Sequence, residues 1–293
     1  MLAVVSAQAQ TITHSFGSGV NKFSIDFVTI GNPGNGADTT GSPNPAGRVD
    51  QIYNLGKYEI NRDQIEKANA AGDLEITLQD MTEFGGNGGN RPATGITWYE
   101  AARFVNYLNT SQGKQVAYRF NESGKLQLWE VDDSALGGDN RLRHKDAYFF
   151  LPSMDEWYKG AFYDPNKAGG AGYWKFPTAS GNAPKAVSGG TESATAVYGQ
   201  DPFAGPADIT NAGGLSAYGT MAQGGNVWEW NECAYPGTNK SENADRAIRG
   251  GSWHFDFGGP DGFYRDILEA SSNWNMQPNC EMPTYGFRIA CKP

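Results

Sequence analysis

Apolar residues recur at every second position in Lys22–Ile30 (KFSIDFVTI), with Phe23, Ile25 and Phe27 set against polar neighbours. A period of two is that of a half-buried strand, because successive side chains leave opposite faces of the backbone. GNPGNGADTTG at 31–41 then concentrates turn-forming residues, and Arg48–Ile60 reads as a return strand ending in GKYEI. Three helix starts follow, each a small polar residue with Glu or Gln three positions later: Asn61 with Gln64, Thr97 with Glu100, Ser153 with Glu156. Such a pair satisfies reciprocally the backbone donors that a first helical turn leaves orphaned. Gly72 can close the first helix. The second carries Ala101, Val105 and Leu108 on one face and stops near Gly113, and the third turns Trp157 and Ala161 inward before Asp164-Pro165 ends it.

Between the second and third helices, Ala117–Val131 alternates like a hairpin and Asp132–Lys145 is polar loop. Gly169–Pro206 is rich in Gly, Ala, Ser and Pro and has no usable period. No repeat is visible and no linker separates two self-sufficient cores, so the pattern predicts a tail at 1–18 and one domain over 19–293. GNPGNG at 31–36 and GGNGGN at 85–90 lack the following helix with Lys-Ser/Thr that phosphate binding needs, and read as flexible loops.

Composition narrows the class. With 39 Gly, 13% aromatic residues and eight Trp among 293 residues, the chain is too aromatic for disorder and too loop-rich for a helical bundle. A loop-dominated α+β domain is expected. The net charge of −9, with no basic run, argues against nucleic acid as a partner. No stretch reaches the roughly 20 apolar residues of a spanning helix. The stub MLAVVSAQA resembles the end of a signal peptide, with the small-x-small triplet Ala7-Gln8-Ala9, so an extracytoplasmic place (secreted, periplasmic or cell surface) is the expectation. Cys233, Cys280 and Cys291 are odd in number and not metal-spaced, which leaves one disulfide plus a thiol, or three thiols.

Several segments, in order, carry a resemblance: GKYEINRDQ (56–64), PATGITWYEAARFVNYLN (92–109), FLPSMDEWYKGAFYDP (150–165), YGTMAQGGNVWEW (218–230), IRGGSW (248–253) and YGFRIA (285–290). Together they resemble the signature of the formylglycine-generating-enzyme, or sulfatase-modifying-factor, superfamily over nearly the whole chain. The GNPGNGADTTG opening resembles exported bacterial members. The resemblance implies a C-type-lectin-like fold of small twisted antiparallel sheets, few helices and much ordered loop. It also implies a structural Ca²⁺ held by Glu229 with the carbonyls of Val227 and Gly219, oxygen ligands that suit calcium. From the residues themselves, Glu229 between Trp228 and Trp230 needs a partner if desolvated, and an ion pair with Arg249 or Arg288 serves as well.

Enzymes of this superfamily oxidise a sulfatase cysteine with O₂ and a copper ion held by two cysteines a few residues after the Arg-Gly-Gly-Ser turn. Here that stretch, WHFDFGGPDGFYR (253–265), contains no Cys, and positions such as Phe255 and Pro260 stand in their place. Cu(I) needs soft thiolates, so bound copper is not expected and the reading leans away from an enzyme. His14, His144 and His254 form no HxxxH pair for an iron site, and a Cys233–His254 nucleophilic pair is outweighed by a buried thiol beside a surface His. Residues 253–285 are instead rich in aromatic and amide side chains, which give contact area at low entropic cost. They resemble in position the variable region of diversity-generating-retroelement proteins, which implies ligand contacts at Trp253, His254, Phe255, Phe257, Tyr264, Asn273, Trp274, Asn275 and Asn279. Trp253, which follows the Arg-Gly-Gly-Ser turn, reads more readily as a core residue. The leading expectation is a non-catalytic binding or scaffold domain for a protein or glycan, with homo-oligomers left open. The alternatives are an oxidase or other metalloenzyme of the superfamily, and a structural subunit of a surface or filament assembly.

Overall fold

The structure, a computed structural model, describes residues 11–234, 239–254 and 266–293. Three α-helices form where the reciprocal caps predict: α1 (Arg62–Gly72), α2 (Trp98–Ser111) and α3 (Met154–Phe162). At each start the cap side chain accepts from the N3 backbone while the N3 side chain accepts from the cap backbone, as in Gln64 N to Asn61 Oδ1 at 2.8 Å and Asn61 N to Gln64 Oε1 at 2.9 Å. α1 ends on Gly72, and Asp73 turns left-handed at φ 52°.

A five-stranded antiparallel sheet runs in the order Thr11–Phe16, Phe23–Ile30, Tyr53–Gly56, Ala290–Cys291, Phe149–Phe150. The strand Phe23–Ile30 covers the predicted alternation, and its Phe23 ring stacks on Phe104 of α2 at 6.2 Å. Of the predicted return strand at 48–60, only Tyr53–Gly56 is extended in the ladder. Residues 11–16 lie inside the segment read as tail, yet they pair with Ser24–Val28 and Phe23, and Phe16 is buried. The same period of two was present there, Ile12, His14 and Phe16 against Thr11, Thr13 and Ser15, in a run too polar to stand out.

A second, four-stranded sheet has the order Trp274–Met276, Arg246–Arg249, Trp228–Ala234, Tyr285–Gly286, the last pair parallel. It carries the GNVWEW and Arg-Gly-Gly-Ser motifs. Gly225 has φ +84°, and a Cβ there would lie 2.2 Å from the Val197 carbonyl oxygen, so the turn into the strand admits only glycine. The hairpin expected over 117–131 is reduced to Arg119–Phe120 against Leu126–Gln127.

The polar loop expected at 132–145 contains instead a strand, Asn140–His144, paired with Ser134–Ala135. NRLRH enters the interior because Arg143 is matched there: it lies 3.2 Å from Glu156 and 3.0 Å from Glu232. The Gly/Asn-rich loops are tied down rather than loose. Asn35 donates to Gly47 O at 2.8 Å and accepts from Val49 N, and Asn87 accepts from Met81 N at 2.8 Å.

Candidate functional site

Beneath the four-stranded sheet lies a buried ionic centre. Glu229, wholly enclosed, accepts from Arg288 Nε and Nη2 at 2.6 Å each and from Trp157 Nε1 at 2.6 Å. Arg288 spends its remaining donors on the Gly56 and Met221 carbonyls. Glu59 accepts from Asn226 Nδ2 at 2.6 Å and from Val227 N at 3.2 Å; burial, and then the charge of Glu229, push it well above the usual carboxylate range. Of the two arginines anticipated as partners, Arg288 is the one that pairs. Arg249 instead stacks over Trp157 and Tyr158, at 5.7 Å and 5.0 Å, and donates to the Ser42 carbonyl.

This arrangement does not fit a calcium ion at Glu229. Both oxygens already hold a guanidinium, and a divalent cation there would meet a buried positive charge rather than an open carboxylate. Gly219 sits in a tight turn in which its N–H donates to Ser216 O and Ser216 Oγ bonds Thr220 Oγ1.

The three cysteines are free thiols on separate elements. Cys233 accepts from Met154 N at 3.3 Å, Cys291 lies in the five-stranded sheet, and Cys280 follows a turn at Gln277. Burial pushes Cys233 and Cys291 up to about 12 and raises Cys280 as well. A Cu(I) site takes two thiolates together, whereas these three thiols lie on separate segments. The histidines are also apart: His14 packs edge-on against Phe27, Tyr148 and Phe149, His144 against Trp129, and His254 bridges to Gln200.

The C-terminal segment divides into two places. Trp253, named among the ligand contacts, is fully buried among Val197, Met221 and Val227. It is a core residue, because its backbone N–H reaches Asn226 O at 2.8 Å and its indole N–H points at Pro202 O. His254 is partly buried at the rim beside Gln200. Phe255, Phe257 and Tyr264 lie outside the described residues. Trp274 and Asn275 lie on the edge strand of the four-stranded sheet, and Asn273 directly precedes it. Trp274 is 38% exposed and rests edge-to-face on the buried Trp228 at 6.1 Å. Asn275 donates to Asp245 at 3.1 Å, and Asn273 donates to Ser42 Oγ. Asn279 is exposed on the following turn.

Two groups at this end escaped the sequence reading. Ser42, in the early Gly/Pro-rich loop, bonds Ala270 O through its N–H and thereby backs the Asn273 position. Phe203, 66% exposed, lies face-parallel to Phe84 at 6.4 Å, close to Trp253 and His254. A Cβ at Gly205 would sit 1.8 Å from Phe84 O, so the two loops bearing these rings nest backbone on backbone. Neither ring belongs to a periodic run; the only local signal is the Asp201 cap, which accepts from Phe203 N at 2.8 Å.

Among the described residues, no group of three or more acidic, His or Cys side chains is arranged to hold a metal, and no helix is long and apolar enough to cross a membrane. The profile of the sulfatase-modifying factor enzyme 1-like domain matches residues 27–293. A comparison with curated proteins finds no match. Among solved structures, the fold is similar to that of Treponema denticola variable protein 1, at 19% identity and a TM-score of 0.62, covering 97% of this chain and 99% of the other. It is similar to PvdO from Pseudomonas aeruginosa at 18% identity and a TM-score of 0.56, over 96% and 98%. CarF superposes at 17% identity with a TM-score of 0.55, over 97% and 98%. These likenesses show a C-type-lectin-like fold, α+β with three helices among the described residues.

Proposed function

Because this chain belongs to the sulfatase-modifying factor enzyme 1-like family, we propose that it serves as a non-catalytic binding or scaffold domain outside the cytoplasm, holding a protein or glycan at its C-terminal aromatic and amide segment. The observation that carries this reading is Trp274. It is a large flat side chain left 38% exposed on an edge strand, braced from below by Trp228 and flanked by two amides, Asn273 and Asn275, held by neighbours. Pre-set aromatic anchors of this kind dominate binding energy when a partner desolvates them. The likeness to a variable protein supports the fold on which this reading rests. The absence of Cys from residues 253–265 supports a role without copper redox chemistry.

The test begins with the purified chain on a glycan array and on a panel of extracellular proteins. For any ligand found, Trp274→Ala is expected to weaken binding by about thirtyfold, the scale of a 2 kcal/mol hot spot, and Asn275→Ala by less. Unchanged affinity in both variants refutes the surface. Fractionation of cells expressing the full chain tests the location separately, a cytoplasmic pool arguing against it.

A further inference from the structure

Away from the Trp274 edge, beside the Phe149–Phe150 strand of the five-stranded sheet, lies a cavity of about 230 Å³. Its lining is part apolar and part polar, with Gln51 and His144 among the polar side chains. Ile52 and Leu136 are large aliphatics left 42% and 53% exposed at its mouth, and Phe150 lies within it. Two exposed aliphatics lining one concavity form a local apolar patch rather than the scattered single residues of an ordinary surface.

The polar groups of the cavity are predominantly cationic. Arg143 covers the Phe150 ring at 3.9 Å. Both oxygens of Glu156, the carboxylate lining the cavity, are engaged by Arg143, and one also accepts from Ser153 N. Arg143 Nε has no hydrogen-bond partner. Lys145 and Lys292 stand at the rim, where Lys292 Nζ donates to Lys145 O at 2.9 Å and Lys145 Nζ to Asp132 O at 2.6 Å, with Asp133 at 3.6 Å. Each ammonium keeps donors to spare. On a chain of net charge −9, a concave site with an apolar body and a lysine rim is complementary to one kind of small molecule.

We propose that this cavity binds a short-chain carboxylate, its hydrocarbon against Ile52, Leu136 and Phe150 and its carboxylate at Lys145 and Lys292. A cationic head would meet two lysines, the charge of Arg143 being matched by Glu156 and Glu232, and a neutral head would leave the ammonium groups to water. The volume lies below the roughly 300 Å³ at which drug-sized pockets begin, so the occupant is small.

Titration calorimetry of the full chain with hexanoate, 1-hexanol and hexylamine tests this. Hexanoate is expected to bind on the order of tenfold more tightly than hexanol, the scale of a charge-assisted hydrogen bond, and hexylamine more weakly than either. Lys292→Glu should erase the preference for hexanoate while leaving hexanol bound, and Ile52→Asp should abolish both. Both positions are at least partly exposed, and an unchanged melting temperature checks the fold; Lys292→Gln, which removes the charge without reversing it, should also lose the preference. No binding of hexanoate, equal affinity for hexanoate and hexanol, or titrations unchanged in both Lys292→Glu and Ile52→Asp would each overturn the proposal.

Discussion

Glu232 illustrates how a single side chain couples to the solution. It is wholly buried, accepts from Tyr118 OH at 2.8 Å and from Asn140 Nδ2 at 2.5 Å, and lies 3.0 Å from Arg143, an ion-pair partner that it shares with Glu156. Burial outweighs the guanidinium and lifts its pKa from 4.5 to about 7. Between those values the folded chain holds a proton that the unfolded chain has released. Stability from this group is therefore complete below pH 4.5 and is lost as pH rises towards 7. At 1.36 kcal/mol per pH unit the loss approaches about 3 kcal/mol. Urea unfolding across this window should show the decline in the native sequence and a flatter curve in Glu232→Gln. Parallel curves for the two would show that Glu232 titrates alike in both states.

At the scale of elements, the helices depend on signals that lie within four residues of one another. Thr97 accepts from Glu100 N at 3.1 Å and Glu100 returns a bond to Thr97 N at 2.9 Å, so Thr97→Ala should destabilise by about 1 kcal/mol, seen as a lower urea midpoint at constant slope. Such closeness is why all three helices were legible from the chain alone. Asn140–His144 was not, because its burial depends on carboxylates 13 positions (Glu156) and 89 positions (Glu232) beyond Arg143 that no local pattern reveals. The candidate site was legible by half. An Asn/Trp-rich run pointed to the Trp274 strand, but the same composition also drew in Trp253, which the Arg-Gly-Gly-Ser turn carries into the core. Phe203 and Phe84 meet only because two loops distant in sequence nest, so neither had a signal to read.

For the molecule as a whole, the pairing of Glu229 with Arg288 leads to the expectation that stability does not depend on a bound cation. A structural calcium at a hundred times its dissociation constant would contribute about 2.7 kcal/mol, or a shift of about 5 °C or more in a chain this size. Thermal melting with and without EGTA should therefore coincide, and a drop of that size would restore the calcium site. The position of Arg288 has a temporal consequence. Glu229 gains its guanidinium from a residue 59 positions further along the chain, and the five-stranded sheet takes its Ala290–Cys291 strand, between Tyr53–Gly56 and Phe149–Phe150, from the same late segment. Domains usually consolidate from the N-terminus as they emerge from the ribosome; in this one the ionic centre and the middle of the sheet can close only once that segment has followed.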